Sequence, residues 1–87
     1  MREALLERKC CKWAKDNGWL VYKFVSPNQS GVPDRVFIKS GRVVFVEFKA
    51  PGEQLRPLQQ KTINTMIAHG ATVYTVDSFE GFLNVIA

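Results

Sequence analysis

Apolar positions along this chain switch between a helical and an alternating rhythm. From about Glu3 to Asn17 they recur at helical spacing: Leu6, Cys10, Trp13 and Ala14, continued by Asn17, form an inward stripe. Arg8, Lys9, Lys12 and Lys15 cluster on the outer side, and Gly18 is the stop signal. Between Trp19 and about Val25 the period drops to two, with Leu20, Tyr22 and Phe24 alternating with Val21 and Lys23, which predicts a strand. A polar loop from Ser26 to Pro33 follows. Two further strands read roughly from Asp34 to Lys39 and from Arg42 to Lys49, joined by a tight turn at Ser40-Gly41. Pro57 suits the first position of a helix running to about His69, with Gly70 ending it and Gln59, Ile63, Met66 and Ile67 on its inner side. Ala71 to Val76 is rich in β-branched residues and predicts a strand parallel to the one bearing Glu47, reached by a right-handed crossover. Ser78 then caps a short last helix whose stripe is Phe79, Phe82, Leu83 and Ile86. That stripe serves either the chain's own sheet or a dimer interface. The expected architecture is α/β, in the order α-β-β-β-α-β with a short C-terminal helix, its mixed sheet flanked by helices.

The hairpin carries the candidate chemistry. Centred on Ser40-Gly41, it opposes Ile38 to Val43, Val36 to Phe45 and Asp34 to Glu47. The two-residue side-chain period puts Asp34, Val36 and Ile38 on one face with Val43, Phe45, Glu47 and Lys49. The run Val-Val-Phe-Val-Glu-Phe is apolar on both faces, so it is expected inside the sheet. Directly opposed residues hold their Cβ atoms about 4.5–5.5 Å apart, where like charges repel. Two carboxylates at the end of an inner strand therefore need compensation. Glu47 and Lys49 can sit past the buried part and pair in solvent. Alternatively, a divalent cation bridges the acids, since hard ions such as Mg²⁺ take carboxylate oxygens while keeping several waters. An opposed Asp34, held after Gly31 and Pro33, favours the cation.

Pro33-Asp34, followed by Glu47-Phe48-Lys49 at the end of the next strand, resembles the PD-(D/E)xK nuclease signature. The longer runs Gly-Val-Pro-Asp-Arg, Val-Glu-Phe-Lys-Ala-Pro-Gly and Leu-Arg-Pro-Leu-Gln resemble the VRR-NUC branch of that superfamily, over about Glu3 to Val76. The resemblance implies a restriction-endonuclease-like core and phosphodiester hydrolysis dependent on Mg²⁺ or Mn²⁺. Asp34 and Glu47 would hold the ion, with the Phe48 main-chain carbonyl; Lys49 would orient the attacking water or offset charge on the phosphate. Gln59 would sit beside the active site, though a capping bond in the first turn of its helix is the other reading. Such families often add an acidic ligand from the first helix. Glu3 and Glu7 both border the apolar stripe there, and the resemblance favours Glu7; a surface glutamate paired with Lys or Arg is the alternative. For a stand-alone domain the resemblance further implies a homodimer acting on branched DNA such as Holliday junctions.

Bulk properties narrow the setting. At 87 residues with 46% hydrophobic and 23% charged content, residues 1–87 are expected to form one small globular domain with a thin core. A net charge of +4 favours a polyanionic partner. Cys10 and Cys11, adjacent on a helix, point to different faces, which argues against a zinc site or an intrachain bridge and fits a reducing cytoplasm. No apolar run approaches the roughly 20 residues a bilayer requires, so no membrane is expected. His69, at a helix C-terminus, reads as a dipole partner rather than a catalyst. Without an evident base-stacking platform, recognition should rest on backbone and shape. The expected activity is a metal-dependent, structure-selective DNA endonuclease of a phage or other mobile element, with a general nicking DNase as its variant. A non-catalytic nucleic-acid-binding module is the competing class.

Overall fold

The computed structural model describes residues 2–87. Its elements are α1 (Glu3–Asp16), β1 (Leu20–Lys23), β2 (Arg35–Lys39), β3 (Arg42–Phe48), α2 (Pro57–Ala68), β4 (Thr72–Val76) and α3 (Phe79–Ile86). One sheet takes the strands in the order β1-β2-β3-β4. The first three form an antiparallel meander, and α2 carries the chain from β3 to β4, which pairs parallel with β3. The doubly apolar β3 thus lies inside the sheet, as its sequence requires. Ser40 and Gly41 both take positive φ, 50° and 82°, forming a hairpin turn whose twist matches the strands. That turn sets Val36 opposite Phe45 and Ile38 opposite Val43.

The main core fills one face of the sheet. Leu6, Cys10, Cys11 and Ala14 of α1 and Phe82 and Ile86 of α3 pack on Phe37, Val44, Val46, Phe48 and Val76. Phe82 stands at the middle, its ring centroid 5.3 Å from Phe37 and 6.2 Å from both Phe48 and Trp13. The stripe of α3 is therefore spent on the chain's own sheet. Both cysteines are buried and free in this core although adjacent helical residues point about 100° apart, because the helix is covered on both of those sides. Asn17, expected in the inward stripe, is exposed; it ends α1 as the C-cap, with its Nδ2 donating to the Trp13 carbonyl at 2.8 Å.

On the opposite face α2 buries Gln59, Thr62 and Ile63. Ile67, expected inward, is 49% exposed, so the buried side of α2 is confined to Gln59, Thr62 and Ile63. Strand β1 is shorter than expected and lies at the sheet's edge, with Lys23 exposed on it. A row of apolar side chains on this face remains open, including Leu20 (41% exposed), Tyr22 (58%) and Val43 (47%).

Candidate active site

Asp34 lies one residue beyond Arg35 and Val46, the last paired positions of β2 and β3. Continuing that register sets Asp34 opposite Glu47. The Asp34 carbonyl still accepts from Phe24 N–H at 2.9 Å, while its Oδ2 accepts from Phe48 N–H at 2.9 Å. Extended backbone sends a residue's N–H and C=O to the same side, so the Phe48 carbonyl faces the Asp34 side as well. Lys49 N–H turns the other way and donates to the Val76 carbonyl at 2.9 Å, which stitches the end of β3 to β4.

Glu47, Lys49 and Gln59 are buried, at 3%, 6% and 7% exposure. Lys49 Nζ stands 3.6 Å from Glu47 Oε2, an ion-pair distance too long for a good hydrogen bond. Gln59 Nε2 donates to the same oxygen at 3.1 Å, and Gln59 Oε1 accepts from Arg56 N–H at 3.0 Å. The capping bond foreseen for Gln59 is present, and the other end of the same amide rests on Glu47.

The loop before Asp34 is fixed by contacts that no linear motif contains. Gly31, at φ 84°, lies so close to α2 that an added Cβ would come within 2.9 Å of the Leu58 carbonyl. Only glycine permits that approach together with that backbone conformation. Thr62 Oγ1 donates to the Ser30 carbonyl at 2.8 Å and lies 3.3 Å from Gln29 Nε2. These bonds set the position of Asp34 relative to Gln59.

Two acids so placed resist ionisation. Burial, and then the charge of Asp34, push the Glu47 carboxyl up to about 7, against the pull of Lys49. Asp34 is also raised, chiefly by burial, although the Phe48 N–H bond opposes the shift. In each acid one oxygen is engaged by the protein, Asp34 Oδ2 and Glu47 Oε2. No backbone or amide N–H donates to Asp34 Oδ1 or Glu47 Oε1, and the two carboxyl groups lie within hydrogen-bonding reach of each other. Two carboxyl groups and a nearby carbonyl, buried enough to disfavour uncompensated negative charge, fit a hard divalent cation that retains several waters. Among the described residues no three His, Cys, Asp or Glu side chains converge on one point, so the close protein carboxylates number two.

The first helix divides its two acids. Glu7 Oε2 accepts from Arg35 Nε at 2.6 Å, both groups partly buried. Glu3 is raised by burial first, then by Glu53 and Asp34, and it in turn lifts Glu47. Both glutamates therefore lie within electrostatic reach of the hairpin acids, but Glu7 is already partnered.

A VRR-NUC domain profile matches residues 3–80. The chain belongs to the VRR-NUC family. It is 40% identical over 79 residues to the protein named Putative nuclease p44 of Acyrthosiphon pisum secondary endosymbiont phage 1, covering 90% of this chain and 85% of that one. A solved VRR_NUC domain superposes with a TM-score of 0.87 at 27% identity, covering 97% of this chain and 92% of the other. A second, a VRR_NUC domain protein, shares the fold at a TM-score of 0.82 and 16% identity, over 99% and 85% of the two chains. The expected α-β-β-β-α-β-α order is that of these VRR-NUC structures, and the family assigns this chain to the nucleases. Thr62, which seats the Asp34 loop, is a residue the motif did not contain; Gly31 and Arg35 both lie in the Gly-Val-Pro-Asp-Arg run, but nothing in the linear pattern marked that Gly31 packs on α2 or that Arg35 holds Glu7.

Proposed function

We propose that this VRR-NUC domain hydrolyses DNA phosphodiesters with the aid of Mg²⁺ or Mn²⁺ held by Asp34, Glu47 and the Phe48 carbonyl. The observation carrying this reading is the buried pair Asp34–Glu47, both raised in pKa and each with one oxygen to which no backbone or amide N–H donates. A bound cation supplies positive charge to a phosphate oxygen and acidifies a coordinated water. Lys49, a compact ammonium in a tight space, offsets the charge the phosphate gains and orients the attacking water. Gln59 restrains Glu47 through Oε2, which would orient the carboxylate that holds the cation. Glu7 joins the donor set only by giving up Arg35.

The open apolar row around Leu20, Tyr22 and Val43 supports a homodimer, because a lone small domain gains nothing from leaving such a surface wet. Two symmetric sites suit paired incisions in branched DNA such as a Holliday junction. The test compares cleavage of a four-way junction and a linear duplex, with Mg²⁺ or with EDTA, by the wild type and Asp34→Ala. Metal-dependent cleavage that prefers the junction and vanishes in Asp34→Ala is expected. Full activity in EDTA or in Asp34→Ala overturns the mechanism. A monomer in sedimentation analysis, cutting both substrates alike, leaves a general nicking DNase instead.

A further inference from the structure

An open furrow of about 460 Å³ runs between α1 and β2, walled by Arg8, Lys12, Lys15 and Arg35, with the buried Cys11 at its floor. Its carboxylates are Glu7 and Asp16, and each is engaged: Glu7 by Arg35 at 2.6 Å, Asp16 by Lys12 at 2.7 Å. Arg8 and Lys15 have no carboxylate partner among the described residues. The furrow is therefore net positive. Arg8, Lys12 and Lys15, at i, i+4 and i+7, form one stripe along about 10 Å of helix. That stripe is long enough to run beside more than one phosphate of a DNA strand. No aromatic ring lines the furrow, which suits a sugar–phosphate backbone rather than a base.

The furrow also adjoins the catalytic centre. Arg35, the residue after Asp34, turns its side chain to the α1 face of the sheet and holds Glu7 of the furrow wall at 2.6 Å, so the furrow begins at the backbone that carries Asp34. Any DNA whose scissile phosphate meets Asp34 and Glu47 must continue past the protein on either side, and here the neighbouring surface is cationic. We infer that the DNA backbone adjoining the scissile phosphate lies in the α1–β2 furrow, gripped by Arg8 and Lys15, while Lys12 and Arg35 stay paired with Asp16 and Glu7 in its walls. The inference rests on the nuclease reading for the position of the scissile bond, but binding tests it separately from cleavage.

The experiment measures fluorescence anisotropy of a labelled DNA duplex in EDTA, across a salt series, for the wild type, Arg8→Gln/Lys15→Gln, and Lys61→Gln on the exposed side of α2. Losing two phosphate contacts should lower the slope of log affinity against log salt by about 1.8, which amounts to a loss on the order of 50-fold at 0.1 M salt. Lys61→Gln should change neither quantity. A charge-reversed Lys12→Glu/Lys15→Glu protein, with its fold checked by circular dichroism, should bind more weakly still. Wild-type affinity and slope in the Arg8/Lys15 variant overturn the furrow, as does an equal loss in Lys61→Gln. Asp34→Ala separates the two claims: it should abolish cleavage while binding in EDTA persists. An Asp34→Ala protein that still cleaves sinks the catalytic assignment and leaves the furrow standing on its own binding data.

Discussion

At the turn end of the β2–β3 hairpin, Lys39 and Arg42 are satisfied by carbonyls. Lys39 Nζ donates to the Asn17 carbonyl at 2.7 Å, closing the end of α1, and Arg42 donates to the Ile86 carbonyl at 2.9 Å at the end of α3. Both cations also lie over the Trp19 ring, at 5.9 and 5.2 Å. Charge here meets its complement, the carbonyl ends of two helix dipoles. At the open end of the same hairpin, Asp34 meets Glu47, and the cation paired with Glu47 is Lys49 at 3.6 Å. One end of the hairpin stabilises the fold, and the other stores unfavourable charge that a ligand can relieve. Such division is expected where binding sites are kept at the expense of stability.

The comparison breaks most sharply at Asp34. Asp34→Ala should lower DNA cleavage by at least about 10³-fold with little change in Tm, because it removes a ligand and a repulsion together. Turnover assays alongside thermal melts check it; a melting loss as large as that of a core truncation would show that Asp34 is structural.

Glu47 gives the pH dependence. Its folded pKa of about 7 exceeds its ordinary 4.5, so the folded state keeps a proton that the unfolded chain releases. The resulting stabilisation is complete below about pH 4.5 and is lost as pH rises through about 7, a change on the order of a few kcal/mol. Glu47→Gln should flatten this slope and raise metal-free stability at pH 8, while abolishing activity. Added Mg²⁺ should recover stability above pH 7 in the wild type alone. Urea titrations from pH 5 to 8, with and without Mg²⁺, measure both effects.

The turn end should behave in the opposite way. Arg42→Ala should cost about 1–2 kcal/mol in urea unfolding, since it frees two carbonyls and uncovers Trp19, yet leave cleavage unchanged at 25 °C. Smallest of all, Ser40→Asn should add a few tenths of a kcal/mol, because asparagine tolerates the positive φ that Ser40 adopts. A drop in activity from either substitution would show that the two ends are coupled.

Much of this fold was legible beforehand because local rules suffice for it. Ser40-Gly41 fixes a two-residue turn, and a period of two does the rest, so the register of Val36 with Phe45 followed without any tertiary information. The failures share a different cause. Asn17 and Ile67 were misjudged because how far a helix is covered by its sheet depends on residues far away in the chain.

By itself, then, the amino-acid order determined the hairpin, the inner position of β3 and the side of the sheet on which Asp34, Glu47 and Lys49 stand, all consequences of spacing along one strand pair. Only the tertiary structure decided how deeply those charges are buried, that Gln59 rather than solvent holds Glu47 Oε2, and that Arg35 takes Glu7. Burial and partner choice are properties of the packed whole, since the desolvation that lifts Glu47 arises only once the chain is folded and α2 sets Gln59 against it.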